Sequence, residues 1–194
     1  MTHQERQLVE ELSQNGVAVS SVWDLVNTPD TPYASAAPIL IRHLEVATDE
    51  RLVEGIARAL TNKAFRAAMP ALIQQFRAVT NDAARWAIGN AIAAVAWKGH
   101  ENAILELAAN PAFGSGRQML VWRLHRIKDR SVEPLLISLL GDPTVDAFAA
   151  SALGYCGGRN ALDALQSMNF SDRTLHTKKA VPKAIAKIEE RSAR

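Results

Sequence analysis

The sequence predicts an all-α fold, an α-solenoid of antiparallel helix pairs, on three observations. Pro38, Pro70, Asn102 and Pro134 stand 32 residues apart, each followed by a short apolar run: Ile39-Leu40-Ile41, Ala71-Leu72-Ile73, Ala103-Ile104-Leu105 and Leu135-Leu136-Ile137. A fixed period of this length marks a repeat array. The same step relates Ile56, Ile88 and Leu120, then Leu60, Ile92 and Leu124, so two apolar helices recur in each period. Finally, no segment shows the period-two alternation of a half-buried strand. One such helix pair cannot bury its apolar face alone, so neighbours stack, and the inner surface of the stack is a common place for binding.

The elements follow in order. Thr2 with Glu5 has the pattern of a capping box ahead of Leu8, Val9 and Leu12, a helical stripe that stops near Gly16. Val19, Val22, Trp23, Leu25 and Val26 suggest a second short helix, closed by Asn27-Thr28-Pro29-Asp30-Thr31-Pro32, where two prolines interrupt regular structure. Residues 1–32 are therefore read as N-terminal capping helices and a linker, and 33–194 as an array of about five units, all in a single structural domain. Helix pairs are expected near 36–46 and 49–62, 68–79 and 82–97, 101–109 and 115–127, and 132–140 and 144–155. Gly141-Asp142-Pro143 is the turn of the fourth pair, and Gly154, Gly157 and Gly158 are expected to end it. A degenerate last pair covers 160–168 and 174–191, with Pro182 expected to divide its second helix.

Composition bounds the function. With 48% apolar and 22% charged residues the chain is an ordinary globular one, and no apolar run approaches a membrane span. The start, Met1-Thr2-His3-Gln4-Glu5-Arg6, lacks the basic-then-apolar pattern of a signal peptide, so a cytoplasmic location is expected. Cys156 is the only cysteine, which excludes an internal disulfide and a Cys-based zinc site; it is expected as a small buried hydrophobe at a helix end. The formal charge of +2 is uneven, because the segment 171–194 holds seven Lys/Arg against three Asp/Glu, leaving the rest at −2. That argues against a broadly basic nucleic-acid binder. Lys179, Lys183 and Lys187 form an i, i+4 stripe opposite Val181, Ile185 and Ile188, read as the solvated face of a terminal helix.

The stretch Leu139-Leu140-Gly141-Asp142-Pro143-Thr144-Val145-Asp146-Ala147-Phe148-Ala149-Ala150-Ser151-Ala152-Leu153-Gly154 resembles the HEAT-like repeat, also named for phycobilisome lyases. It has the Asp-Pro turn, the inward Val, the Ala four positions on and the Ala-Leu-Gly ending, with Asp146 in place of the usual Arg. Arg85 and Arg117 hold that Arg position in the second and third units, and Val53 departs from it in the first. The chain is thus similar to small bacterial stand-alone HEAT-repeat proteins, a likeness that implies a fold rather than an activity.

The resemblance implies that the second helix of each pair lines the concave side. Packing positions would then be Leu52, Ile56, Ala59 and Leu60; Ala84, Ile88, Ala91 and Ile92; and Gly116, Leu120, Arg123 and Leu124, where Arg123 breaks the pattern. The positions between them form two rows across the repeats, Glu54/Trp86/Gln118 and Arg58/Asn90/Trp122. Two tryptophans among Arg, Asn, Gln and Glu have the composition of an interaction hot spot, and these six residues are the candidate partner-binding site. The competing reading has each Trp folded down between helices as filling. Arg85 and Arg117 are read as packing residues whose heads pair with a turn Asp, Asp82 in the case of Arg85, and Trp23 and Trp97 as core or cap residues.

No catalytic constellation is legible. The histidines at 3, 43, 100, 125 and 176 lack metal-site spacing, so no metal or cofactor is expected. There is no phosphate-binding loop and no nucleophile elbow. Gly114-Ser115-Gly116 could hold an anion but reads better as a loop, and Cys156 with His125 would be a nucleophile pair only by chance of folding. The leading expectation is a non-enzymatic module that grips another protein, as an adaptor or an immunity-type inhibitor. The alternative is a DNA-modifying enzyme like the HEAT-like-repeat alkylpurine glycosylases, with Glu54 or Asp146 as the acid; the non-basic body counts against it. A lyase or chaperone acting on a tetrapyrrole-bearing protein is suggested only by the repeat's name.

Overall fold

The computed structural model describes residues 1–27, 34–95 and 98–193, which form twelve α-helices and no strand. The helices fall into two compact units, Met1–Gly99 and His100–Arg194. Trp97 and most of the linker expected at 27–32 lie outside the described residues.

The first unit holds α1 (His3–Gln14), α2 (Val22–Asn27), α3 (Ala37–Val46), α4 (Glu50–Ala59), α5 (Met69–Ala78) and α6 (Asp82–Ala94). First helices pack on first helices, α1 on α3 and α3 on α5, while α4 lies between α2 and α6 in a second layer. Pro38 and Pro70 sit in the opening turns of α3 and α5, where a missing N–H costs nothing. Asp49 and Asn81 cap α4 and α6 by accepting from amides of their first turns. Leu8, Leu40, Leu72, Ile104 and Leu136 are each fully buried, so the 32-residue step reaches back into α1. The helices expected as caps therefore stack as a pair in the same two layers. Thr2 does cap α1, but Glu5 turns away from the reciprocal bond and accepts instead from the Ser21 hydroxyl at 2.7 Å, fastening α2.

The second unit repeats this plan with α7 (Glu101–Ala109), α8 (Gln118–Arg123), α9 (Val132–Leu139), α10 (Asp146–Cys156), α11 (Arg159–Ser167) and α12 (Leu175–Ser192). The second layer is α8, α10 and α12. Four expectations need correction. The helix expected over 115–127 is reduced to α8, because Gly114 takes a left-handed φ of 47° within a 3-10 segment and the chain tightens again at Leu124–Arg126. Gly154 does not end α10 but lies inside it, where a Cβ would come within 3.1 Å of the Ala184 backbone, so the glycine sets how closely α12 approaches. Pro182 does not divide α12; it faces solvent, where water can satisfy the carbonyl it frees, while Ala180, Val181, Ala184 and Ile188 bury the opposite side. Cys156 is exposed rather than buried.

Successive pairs are clasped by side chains. Gln4 accepts from the amides of Thr48 and Asp49, Glu50 from those of Thr80 and Asn81, and Glu133 from those of Gly158 and Ala161. The two amides hold the Glu50 carboxyl below its ordinary value. Gln75, buried in α5, donates to the Leu44 carbonyl at the end of α3. In the second unit Arg117 is 1% exposed and donates to the Ala108 and Gly114 carbonyls and to Asp142 in the next turn.

Candidate functional site

All the expected apolar packing positions of α4, α6 and α8 are buried, and Arg123 is half-buried, its guanidinium 5.3 Å from the Trp122 ring centroid. The six candidate residues are uniformly half-buried. This places them on the outward side of the second-helix layers, with the apolar rows beneath.

In the first unit the contacts run diagonally. Glu54 accepts from Arg58 Nε at 2.9 Å, one helical turn along α4, and the Arg58 guanidinium lies 5.9 Å from the Trp86 ring centroid on α6. Asn90 follows one turn beyond Trp86, half-buried on the same helix. Trp23, assigned from sequence to core or cap, is half-buried on α2 and carries Arg51 over its ring at 5.9 Å. Together with Glu50, Arg51, Glu54 and Asn81 it lines a cleft of about 420 Å³. A Cβ at Gly55 would meet Val22 at 2.5 Å, so that glycine lets α2 sit close enough to present Trp23 there.

In the second unit Gln118 is tied down, donating to the Thr144 carbonyl at 2.9 Å. Trp122, one turn along α8, meets the edge of His125, whose Nδ1–H donates to the Trp122 carbonyl at 2.7 Å. His125 stacks on Tyr155 of α10 with centroids 4.8 Å apart, and Lys187 of α12 brings its ammonium to 3.9 Å from the same phenol ring. Burial lowers the His125 pKa, outweighing the raising effect of its backbone bond, and the cations Arg126, Arg123 and Lys187 lower it further. Trp122, Ser151, Tyr155, Lys183, Ala184 and Lys187 line a cleft of about 150 Å³. Sequence reasoning missed Trp23, His125 and Tyr155.

The other chemical candidates are placed as follows. Asp146 is 2% exposed, accepting from the Thr177 hydroxyl at 2.8 Å and from its own helix, with Arg173 3.6 Å from its second oxygen. Cys156 turns its Sγ back on the Ala152 carbonyl, and partial desolvation with the Glu133 charge pushes its thiol up, the reverse of activation. His125 instead spends its ring contacts on Trp122 and Tyr155. Arg85 reaches the Phe76 and Val79 carbonyls and pairs with Asp82 at 3.6 Å, as expected. Among the described residues no group of three His, Cys, Asp or Glu side chains could hold a metal ion, and no helix is long and apolar enough to cross a membrane.

No protein-family model matches the chain, and no curated protein matches it. Among solved structures, the crystal structure of an engineered protein from the Northeast Structural Genomics Consortium is similar, with a TM-score of 0.56 at 20% sequence identity over 98% of each chain. The likeness shows the fold: an all-α, repeat-like protein of sequentially packed helices.

Proposed function

We propose that this protein is a non-enzymatic binding module of HEAT-like repeats, and that it grips another protein on the outward sides of the second helices in each of its units, as an adaptor or an immunity-type inhibitor. The observation that carries the reading is Trp86, half-buried beside Arg58, which is itself held by Glu54. A tryptophan with its edge in solvent and an oriented guanidinium beside it is the combination that dominates binding energy at interfaces. Trp122 stands in the same half-buried condition on α8. The six residues proposed to meet the partner are Glu54, Arg58, Trp86 and Asn90 in the first unit and Gln118 and Trp122 in the second.

The DNA-modifying alternative would need an accessible carboxylate. Glu54 is committed to Arg58, and Asp146 is enclosed under Thr177 and Arg173. The test is to identify the partner by affinity capture from the native host and then to measure its affinity for purified variants. Trp86→Ala and Trp122→Ala should each weaken binding by about 2 kcal/mol or more with little change in thermal stability. Wild-type affinity in both variants, or unfolding of both, would sink this assignment. Base excision from alkylated DNA that is lost in Glu54→Gln would replace the reading by the enzymatic one.

A further inference from the structure

The second-helix layer of the second unit is a basic surface with little internal compensation. The residues of α8 and α10 include one carboxylate, Asp146, and α12 has none before Glu189. Asp146 is enclosed, as described. Against this the same helices carry Arg123, Lys178, Lys179, Lys183 and Lys187. Lys179, Lys183 and Lys187 are exposed, and none of the three has a carboxylate within ion-pair distance among the described residues. At a rise of about 1.5 Å per residue, their ammonium stems leave the helix about 6 Å apart. Lys183 and Lys187 line the same cleft as Trp122 and Tyr155, with the Lys187 ammonium 3.9 Å from the Tyr155 ring centroid.

We infer that this surface docks an acidic segment of a partner protein, seating one apolar side chain in the cleft between Trp122, Tyr155 and Ala184 and laying carboxylates on Lys183 and Lys187. The inference rests on the binding-module reading and names the partner's chemistry at one of its two faces. The size of the cleft, about 150 Å³, suits one side chain rather than a whole small ligand. The aromatic rings argue for a peptide over single-stranded nucleic acid. Base stacking needs open ring faces, whereas Tyr155 is already engaged by His125 and Lys187, and Trp122 by His125 and Arg123. Tyr155 is 52% exposed as a residue, and its phenol O–H is a donor that a carboxylate beside the lysines can take up.

The probe is a fluorescein-labelled peptide of about a dozen Glu and Asp residues around one Leu, titrated with the full chain by fluorescence polarisation at low salt. Binding in the range of roughly 10–100 µM is expected, falling as salt screens the charges. Lys183→Glu with Lys187→Glu should weaken it by about tenfold or more. Both positions are exposed, so the fold should persist, which circular dichroism checks. Ser151→Phe, filling the cleft, should reduce the Leu peptide to the affinity of a matched peptide with Gly in place of Leu. Lys63→Glu, an exposed charge reversal in the first unit and outside both binding faces, should leave peptide binding unchanged. No binding by the acidic peptide, equal affinity for a Gln/Asn peptide of the same design, or tighter lysine-dependent binding of an oligothymidylate would each overturn the inference. If a captured native partner depends on Trp86 and Trp122 while the charge reversals leave it untouched, the inference fails and the binding-module reading stands. If the acidic peptide behaves as expected but the native partner ignores both tryptophans, the six-residue assignment fails instead.

Discussion

In the first unit the outward side of the second helices answers its charges locally: Glu54 holds Arg58, Asp82 meets Arg85, and the guanidinium groups of Arg51 and Arg58 lie over tryptophan rings. In the second unit the corresponding side sets Lys183 and Lys187 beside Trp122 and Tyr155 with no accessible carboxylate on the same helices before Glu189. Both faces present half-buried aromatics, but only one leaves its charge to be met from outside. On the proposed function, two units built on one repeat plan would present different surfaces to a partner, the first with its charges already paired and the second with lysines exposed.

The two units also handle the repeat's arginine differently, and this gives the largest expected effect. Arg117 and Arg85 each bond to two carbonyls, so the difference lies in burial and in the carboxylate: Arg117 is 1% exposed on a mostly covered Asp142, whereas Asp82, the partner of Arg85, is largely in water. Arg117→Ala should cost about 3–5 kcal/mol in urea unfolding, because a carboxylate and carbonyls lose their partner in a desolvated place, and Arg85→Ala about 1 kcal/mol. Equal losses would erase the distinction. Next, Ile88 and Leu120, one period apart and fully buried, should behave alike. Ile88→Ala and Leu120→Ala are each expected to lose about 2–5 kcal/mol, and a loss near zero in one would show that its unit packs more loosely there.

The smallest effect concerns acid. The His125 pKa is depressed below the ordinary 6.5, so the unfolded chain takes up the proton before the folded one does. Stability should therefore decline as pH falls from about 6.5 through the folded value. Thermal melts at pH 7 and pH 5 should show this decline in the wild type and a smaller one in His125→Gln. A His125→Gln variant as acid-sensitive as the wild type would place the sensitivity elsewhere, and Glu50 would then be the next group to replace.

The sequence made the buried rows legible because burial follows apolar period, and Ile56, Ile88 and Leu120 lie on one step of 32 residues. The same step leads back from Leu40 to Leu8. Half-buried positions such as Glu54, Trp86 and Trp122 were legible as the residues left between those rows. Trp23 and Tyr155 were not, since the step carries Trp23 onto Gly55 and Tyr155 back onto Arg123, so no register pairs them with the other aromatics. Their neighbours are decided by how closely α2 and α12 approach, which depends on the missing side chains of Gly55 and Gly154. The length of α12 escaped for a related reason: the pattern shows a proline, while its harmless outward orientation comes only from packing.

The clasps between pairs have an order in time. Gln4 and Glu50 each stand in an earlier pair and receive the amides of a turn that comes later in the chain. During synthesis, which completes the N-terminal part first, every such turn emerges to find its acceptor already built. The chain can therefore be assembled by accretion, one pair docking on the last, without waiting for its far end.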